Sequence, residues 1–143
     1  MRLWHSLAAG AAAAVLLVAG TGVADATTPV GVTGTILSQT TVGGKDYILR
    51  EITIAAHGST GWHWHDGTLY AFVKSGTLTH TMSDCTSTDV YRTGSTFIEQ
   101  SGADHVHIGR NLGNTPLVLD VLYVDPAGSP LSEDAPNPGC PFQ

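Results

Sequence analysis

Short runs of alternating apolar and polar residues fill the chain after Ala26, and no stretch there repeats apolar residues at helical spacing over three turns. Alternation with a period of two, rich in Val, Ile, Thr and Tyr, is typical of half-buried β-strands. Turn signals such as Gly43-Gly44 and Asp66-Gly67 separate the runs. The pattern predicts nine strands: Val32–Thr41, Tyr47–Ala56, Trp62–His65, Leu69–Lys74, Gly76–Met82, Val90–Arg92, Thr96–Glu99, His105–Ile108 and Leu117–Val124. Many short strands with regular turns predict an all-β sandwich, jelly roll or barrel.

The two ends of the chain have patterns of their own. Residues 1–26 begin with Arg2, continue with an uncharged run over residues 7–23 and end in Ala24-Asp25-Ala26, which is the pattern of a signal peptide cleaved after Ala26. An uncleaved membrane anchor is the alternative, but 17 residues rich in Ala and Gly are marginal for spanning about 30 Å of hydrocarbon. Residues 126–143 hold five of the seven prolines, so we expect an extended tail there and not another strand.

These boundaries divide the chain into a signal peptide (1–26), a short arm (27–31), a β-barrel (32–124) and a Pro-rich tail (125–143). The total of 143 residues suits one domain. Twelve acidic residues outnumber six basic ones, and no Lys/Arg cluster exists, so nucleic acid is not an expected partner. We expect a protein secreted to the exterior or the periplasm, with a small-molecule ligand or substrate and no membrane contact after cleavage.

If the chain is exported, its two cysteines lie in an oxidising compartment. Cys85 lies in a polar loop and Cys140 lies in the tail. Two cysteines in an oxidising compartment usually pair. We therefore predict a disulfide between Cys85 and Cys140 that holds the tail against the barrel, with two free thiols as the alternative.

Candidate chemistry lies in two His-x-His pairs, His63/His65 and His105/His107. Residues two apart on a strand point to the same face, so each pair can direct both imidazoles at one point. Neutral imidazole binds divalent transition metals well. Two such pairs in one short chain indicate a metal site more strongly than one pair would.

The residues around both pairs resemble the motifs of the cupin family. The first motif reads GSTGWHWHDGTLY from Gly58 to Tyr70 and closes at Gly76, and the second reads GSTFIEQSGADHVHIGRN from Gly94 to Asn111. The resemblance covers roughly residues 32–124, which is most of the predicted mature chain. It implies a small single-domain β-barrel of the jelly-roll kind with a metal ion in its mouth, and it leaves a homodimer through the sheets open as a partner.

The first motif departs from the family pattern, because the glutamate that follows the His pair in the family is absent. Spacing from Gly76 places Leu69 at that position, and the longer spacing from the His pair places Tyr70 there. Leu69 is favoured, because Leu69, Ala71 and Val73 then form an apolar inward face. In either register no carboxylate occupies the position.

The second motif has two registers as well. Spacing from Gly94 and Gly102 selects His105, whereas spacing back from Asn111 selects His107. We prefer His107, because that spacing is local and needs no intervening gap. Gln100 stands where the family usually has Pro.

The resemblance therefore implies a metal site formed by His63, His65 and His107, with His105 as a rival or fourth ligand. The ion would be divalent manganese, iron, zinc or copper, because sequence alone does not choose among them. Three neutral ligands leave the full charge of the dication, which favours an anionic or enolate ligand. Glu99 and Tyr70 are candidates for orienting a ligand or moving a proton from beside the site.

The leading hypothesis is a secreted metal-dependent oxidoreductase, similar to the dioxygenases among the cupins, that acts on a small acidic or enolisable molecule. The alternative is a non-catalytic module that binds a small ligand around a degenerate metal site, and the missing glutamate is the reason for keeping it. Trp62 and Trp64 alternate with the first His pair, so they should cover the opposite face by packing or at a dimer contact. His57 and His80 are expected at the surface.

Overall fold

A computed structural model of the chain describes residues 25–143, so the predicted signal peptide lies outside the described residues except for Asp25 and Ala26. The described residues form ten β-strands: β1 (Val30–Val42), β2 (Lys45–Ser59), β3 (His63–Trp64), β4 (Thr68–Ser75), β5 (Thr77–Met82), β6 (Thr88–Arg92), β7 (Thr96–Glu99), β8 (His107–Arg110), β9 (Leu117–Pro126) and β10 (Glu133–Asp134). The all-β prediction is confirmed, and each of the nine predicted strands has a counterpart. Within residues 25–143, no helix is long and apolar enough to span a membrane.

The strands form one curved antiparallel sheet that nearly closes into a barrel. Its order is β10-β3-β8-β2-β9-β4-β7, with β1 added beside β2 and with β5 joining β8 to β6. The β1–β2 hairpin turns at Gly43 and Gly44, where both residues have positive φ angles of 59° and 76°. A two-residue turn of this kind matches the twist of the strands that it joins, and glycine adopts it without steric cost.

The main core lies between the inward rows of the long strands. Leu69, Ala71 and Val73 are buried and Lys74 is exposed, so the predicted inward face of β4 is confirmed. Alternate residues of β2 and β9 complete the same core, because successive side chains of a strand point to opposite faces. The buried apolar residues of this core are Ile48, Ile54, Leu69, Ala71, Val73, Leu78, Phe97, Leu117, Leu119, Val121 and Tyr123.

A second, smaller core lies under the tail. Trp62, Ile108, Ala135 and Cys140 are its buried members, and Phe142 stacks on Trp62 with ring centroids 6.1 Å apart. The predicted disulfide between Cys85 and Cys140 is present. The tail is therefore fixed to the barrel by a covalent bond and by apolar packing.

The prediction that the tail contains no strand is wrong at one place. Glu133 and Asp134 form β10, which pairs with Trp64 and His63 of β3. The prolines of the tail flank this short strand and do not interrupt it. A proline removes a hydrogen-bond donor only at its own position, so the proline-free segment between two prolines can still pair.

Strand β8 begins two residues later than its predicted start at His105. The backbone N–H of His105 donates to the carbonyl of Gly102 (3.0 Å), which closes a turn at the place where the sequence predicts the strand to begin. The ladder of β8 starts at His107. This shift places the two histidines of the second pair in different backbone environments.

Candidate metal centre

Four side chains meet at one end of the barrel: His63, His65, Glu99 and His107. Their potential ligand atoms all lie within 4.8 Å of one another. Two nitrogens bound to one tetrahedral zinc ion would be about 3.4 Å apart, since a Zn–N bond is about 2.1 Å long. The most distant atoms of the cluster would therefore have to move closer by about 1.4 Å to bind a single ion.

The β-ladders explain how residues distant in sequence meet here. His63 on β3 lies directly opposite His107 on β8. His65 lies two residues after His63, so its side chain points to the same face. Trp62, on the other face, is fully buried in the smaller core, which holds this short segment in place.

Glu99 supplies the carboxylate that the first motif lacks. The register between β4 and β7 places Glu99 directly opposite Leu69, which is the position where the cupin motif has its glutamate. Residues directly opposite each other in a ladder have Cβ atoms about 4.5–5.5 Å apart and share a face. Glu99 therefore brings its carboxylate to nearly the same place from the neighbouring strand.

The imidazoles are fixed through their Nδ1 atoms, each of which lies within hydrogen-bond distance of a backbone carbonyl. The contacts run from His63 to Gly61 (3.0 Å), from His65 to Leu131 (2.8 Å) and from His107 to His105 (2.8 Å). A carbonyl only accepts, so Nδ1 is the donor, and in a neutral imidazole Nε2 then keeps its lone pair. Metal-binding histidines are commonly held in this way.

The Nε2 atoms of His65 and His107 are buried and form no hydrogen bond within the described residues. Each lies beside a Glu99 oxygen, at 3.1 Å and 3.4 Å. The buried Nε2 of His80 also lies beside a Glu99 oxygen, at 3.3 Å, and likewise forms no hydrogen bond within residues 25–143. Buried polar atoms are normally hydrogen-bonded, so three unpaired nitrogens beside one carboxylate need an explanation. A cation bound among them would provide it, and the donor set of three imidazoles and one carboxylate suits a divalent transition metal.

The titratable groups of the cluster shift one another's pKa values. Burial lowers the pKa of His63 to about 3, with help from the charges of His107 and His65, so His63 is neutral at ordinary pH. Burial would raise the pKa of Glu99, but the charge of His107 and contacts with the imidazoles hold that pKa well below its usual range. Burial would lower the pKa of His107, but the Glu99 carboxylate raises it. A bound cation would balance the negative charge of Glu99 inside this buried cluster.

His80 was predicted at the surface, and this prediction is wrong. The residue is 8% exposed, its Nε2 lies 3.3 Å from a Glu99 oxygen, and its ring stacks on that of His107 with centroids 4.7 Å apart. The alternation of residues along β5 could have predicted the inward position of His80. Leu78 is inward and buried, and His80, two residues later, shares its face.

Three other candidates lie away from the cluster. The side chain of His105 is 38% exposed and lies 3.9 Å from Asp104, because the turn before β8 directs it to the rim. Tyr70 is 48% exposed on the outer face of β4, so it does not reach the cluster. His57 is exposed, as expected, and contacts the side chain of Asn114.

A cavity of about 260 Å³ opens beside the cluster and is partly lined by Arg50, Ile52, His63, His65 and Tyr123. A smaller apolar recess continues inward, past Leu69, Ala71 and Phe97. Burial raises the pKa of Tyr123 to about 12, although Arg50 acts in the opposite direction. Tyr123 is therefore a neutral phenol at ordinary pH and can donate a hydrogen bond into the cavity.

Comparisons with known proteins agree with this fold. A family model described as Cupin domain matches residues 50–124. The fold is similar to the polyketide cyclase RemF from Streptomyces resistomycificus, which is 18% identical with a TM-score of 0.61, and 77% of each chain is covered. It is also similar to a cupin-2 domain protein from Rhodospirillum rubrum, which is 12% identical with a TM-score of 0.60, over 75% of this chain and 67% of that one. No curated protein matches the sequence. At these identities the structural likeness establishes the fold alone.

Proposed function

Because this chain belongs to the cupin family, we propose that it holds one divalent transition-metal ion among His63, His65, Glu99 and His107. Cupins commonly bind a divalent metal. The observation that carries the proposal is the fixed orientation of the three imidazoles, whose Nδ1 atoms are all engaged by backbone carbonyls. That arrangement leaves the Nε2 lone pairs free for a metal.

The ligand set includes one carboxylate more than the three-His site expected from the sequence. With Glu99 ionised and the imidazoles neutral, a dication would leave the site with a net charge of about +1. When bound, the ion would polarise a coordinated oxygen and lower the pKa of a bound water or enol. The residual positive charge favours an anionic substrate.

We further propose an oxidoreductase of the dioxygenase type that acts on a small acidic or enolisable molecule. The apolar recess beside the cluster would exclude bulk water from such a molecule, and the neutral Tyr123 would donate a hydrogen bond to it. Oxygen uptake with a panel of enolisable acids tests this, with His63→Ala as the inactive control. Wild-type rates equal to those of His63→Ala would overturn the enzymatic part, and ligand-induced thermal stabilisation without turnover would support the binding-module alternative.

Variants that remove or move the Glu99 carboxylate test the proposed metal site. Glu99→Gln should lower the affinity for zinc by at least about tenfold, whereas the same change at Glu133, outside the cluster, should not. The double variant Leu69→Glu/Glu99→Leu returns a carboxylate to the opposite position of the ladder and should recover part of the affinity. Purified protein with less than about a tenth of an equivalent of metal, unchanged after exposure to manganese, iron, zinc and copper, would overturn the proposal.

We propose that the protein acts outside the cytoplasm. Residues 1–26 have the pattern of a signal peptide, and the disulfide suits an oxidising compartment. Intact mass measurement on the exported protein should give a chain that begins at Thr27. A full-length chain that stays in the cytoplasm would contradict this.

A further inference from the structure

Arg50 interrupts the apolar stretch, residues 48–54, of the inward row of β2. Ile48, Arg50, Ile52 and Ile54 lie at alternate positions of the strand and so share the face that looks into the barrel. Ile48 and Ile54 are buried in the main core, and Arg50 is half-buried. A charged group in such a row has a desolvation cost, so it needs a partner or a function.

No carboxylate of the described residues lies within ion-pair distance of Arg50, as the ion pairs formed within residues 25–143 all involve other cations. Lys74, in contrast, pairs with Glu51 and Asp120 on the outer surface. Arg110 lies over the ring of Phe142, with its guanidinium carbon 3.7 Å from the centroid. Arg50 thus presents a guanidinium to the interior without a protein anion to balance it.

The guanidinium faces the cavity that opens beside the metal cluster. Arg50, His63 and His65 line this cavity together, and Val32 and Ile52 contribute apolar wall. Its volume of about 260 Å³ suits an organic acid of modest size and not just a single water. Gly34 on β1 makes room for the guanidinium, because a Cβ atom at that residue would come within 2.2 Å of Arg50 Nε.

We propose that Arg50 is the carboxylate-binding residue of this site. The ligand is a small organic acid with a second oxygen on the carbon next to its carboxylate, that is, a 2-hydroxy or 2-oxo acid. The planar guanidinium would hold the carboxylate through two parallel hydrogen bonds, while the second oxygen faces His63 and His65. The part of the proposal that concerns the second oxygen rests on the proposed metal site, whereas the carboxylate part stands on Arg50 alone.

Calorimetric titration of the zinc-treated protein with mandelate and with its neutral amide, mandelamide, tests the proposal. Wild type should bind mandelate at least about tenfold more tightly than mandelamide, since hydrogen bonds between charged groups are the strong ones. Arg50→Gln should reduce this preference to less than about twofold and leave mandelamide binding and zinc content unchanged. Arg92→Gln, which changes an exposed arginine on β6, is the matched control and should keep the preference.

Zinc content, measured on the same samples, separates this proposal from the metal site. Protein that holds no zinc but prefers mandelate through Arg50 would sustain the Arg50 proposal and overturn the metal site. Protein that holds zinc but shows no preference, or an Arg50→Gln variant that keeps the preference, would overturn the Arg50 proposal. If Arg50→Gln does not fold, Arg50→Lys takes its place in the test. Lysine keeps the positive charge but lacks the two parallel donors of the guanidinium, so the preference for mandelate over mandelamide should be intermediate.

Discussion

The barrel has two unlike halves. Strands β1, β2, β4 and β9, the long-strand half, run for 8–15 residues and are joined by long ladders. Strands β3, β5, β6, β7, β8 and β10, the short-strand half, run for only 2–6 residues. Every residue of the candidate metal site lies on or beside a short strand, whereas Arg50 lies on a long one.

The two halves are stabilised by different kinds of contact. Strands β4 and β9 bury alternate residues along their length and β2 buries Ile48 and Ile54, whereas β1 is almost entirely exposed. The stability of the three buried strands follows from apolar area removed from water along their ladders.

The short strands have little ladder of their own and depend on distant partners. The Cys85–Cys140 disulfide closes this half, and the Leu131 carbonyl accepts from His65. Asn111 donates to two carbonyls within β2 and to one in the loop before β9. The geometry of the candidate metal site therefore depends on these contacts as well as on the ladder pairs that place His63, His107 and Glu99.

The largest effect is expected from breaking the disulfide. Cys85 and Cys140 are 55 positions apart, and releasing a loop of this length costs roughly 4 kcal/mol of unfolding free energy in the chain-entropy model. The double variant Cys85→Ser/Cys140→Ser should lose this stability in denaturant titrations. It should also bind zinc more weakly, because the tail no longer holds the Leu131 carbonyl against His65.

Leu117→Ala is the matched control in the long-strand half. Leu117 is fully buried in the main core, so its truncation should cost about 2–5 kcal/mol of unfolding free energy. Zinc affinity of the folded variant should remain that of the wild type. An equal loss of zinc affinity in both variants would mean that the two halves do not differ in the way described.

A smaller effect is expected at Asn111, which joins the halves. Its buried amide group donates to the carbonyls of Ile54, Ala55 and Thr115. Asn111→Ala leaves these acceptors without their donor, which should lower the unfolding free energy by about 1–3 kcal/mol. Urea unfolding measures the change, and Asn114→Ala, at an exposed position, should shift the midpoint much less. Equal shifts would show that the Asn111 contacts do not join the halves.

The smallest effect is expected at Asp84, in the loop that carries Cys85. Hydrogen bonds from the Ser87 side chain and from the backbone of Ser87 and Thr86 lower the pKa of Asp84 to about 2, from an ordinary value of 3.8. Because the folded pKa is the lower one, the carboxylate stabilises the fold above about pH 4. That contribution is lost as the pH falls toward 2.

Melting temperatures of wild type and Asp84→Asn, measured between pH 2 and pH 7, check this. The two curves should differ above about pH 4, with wild type the more stable, and should converge near pH 2. Asp104→Asn, at another exposed position of the same half, is the control. Parallel curves for wild type and Asp84→Asn across the whole range would contradict the role of the carboxylate.

The same contrast explains what the sequence could predict. Alternation predicted the strands β2, β4 and β9 and the inward face of β4, because the period of a strand is a local property of its sequence. The contribution of Glu99 to the cluster could not be read in this way, since it depends on the register that sets Glu99 opposite Leu69 across two strands. The contact between the Leu131 carbonyl and His65 could not be predicted either. Every residue has a backbone carbonyl, so the residue type does not show which one accepts a hydrogen bond. His80 was different, as its inward position followed from Leu78.

The pairing of β3 with β10 also limits when this part of the structure can form during synthesis of the chain. His63 and Asp134 are partners in this ladder although they lie 71 positions apart, and Thr27 closes the same corner by donating to Ala135. A contact between such distant segments forms only after the later one has been synthesised and the loop between them has closed. His65 therefore gains its carbonyl partner only when nearly the whole chain is available. In a chain synthesised from its N-terminus, the His65 contact of the candidate metal site can therefore form only after residue 131 has been made.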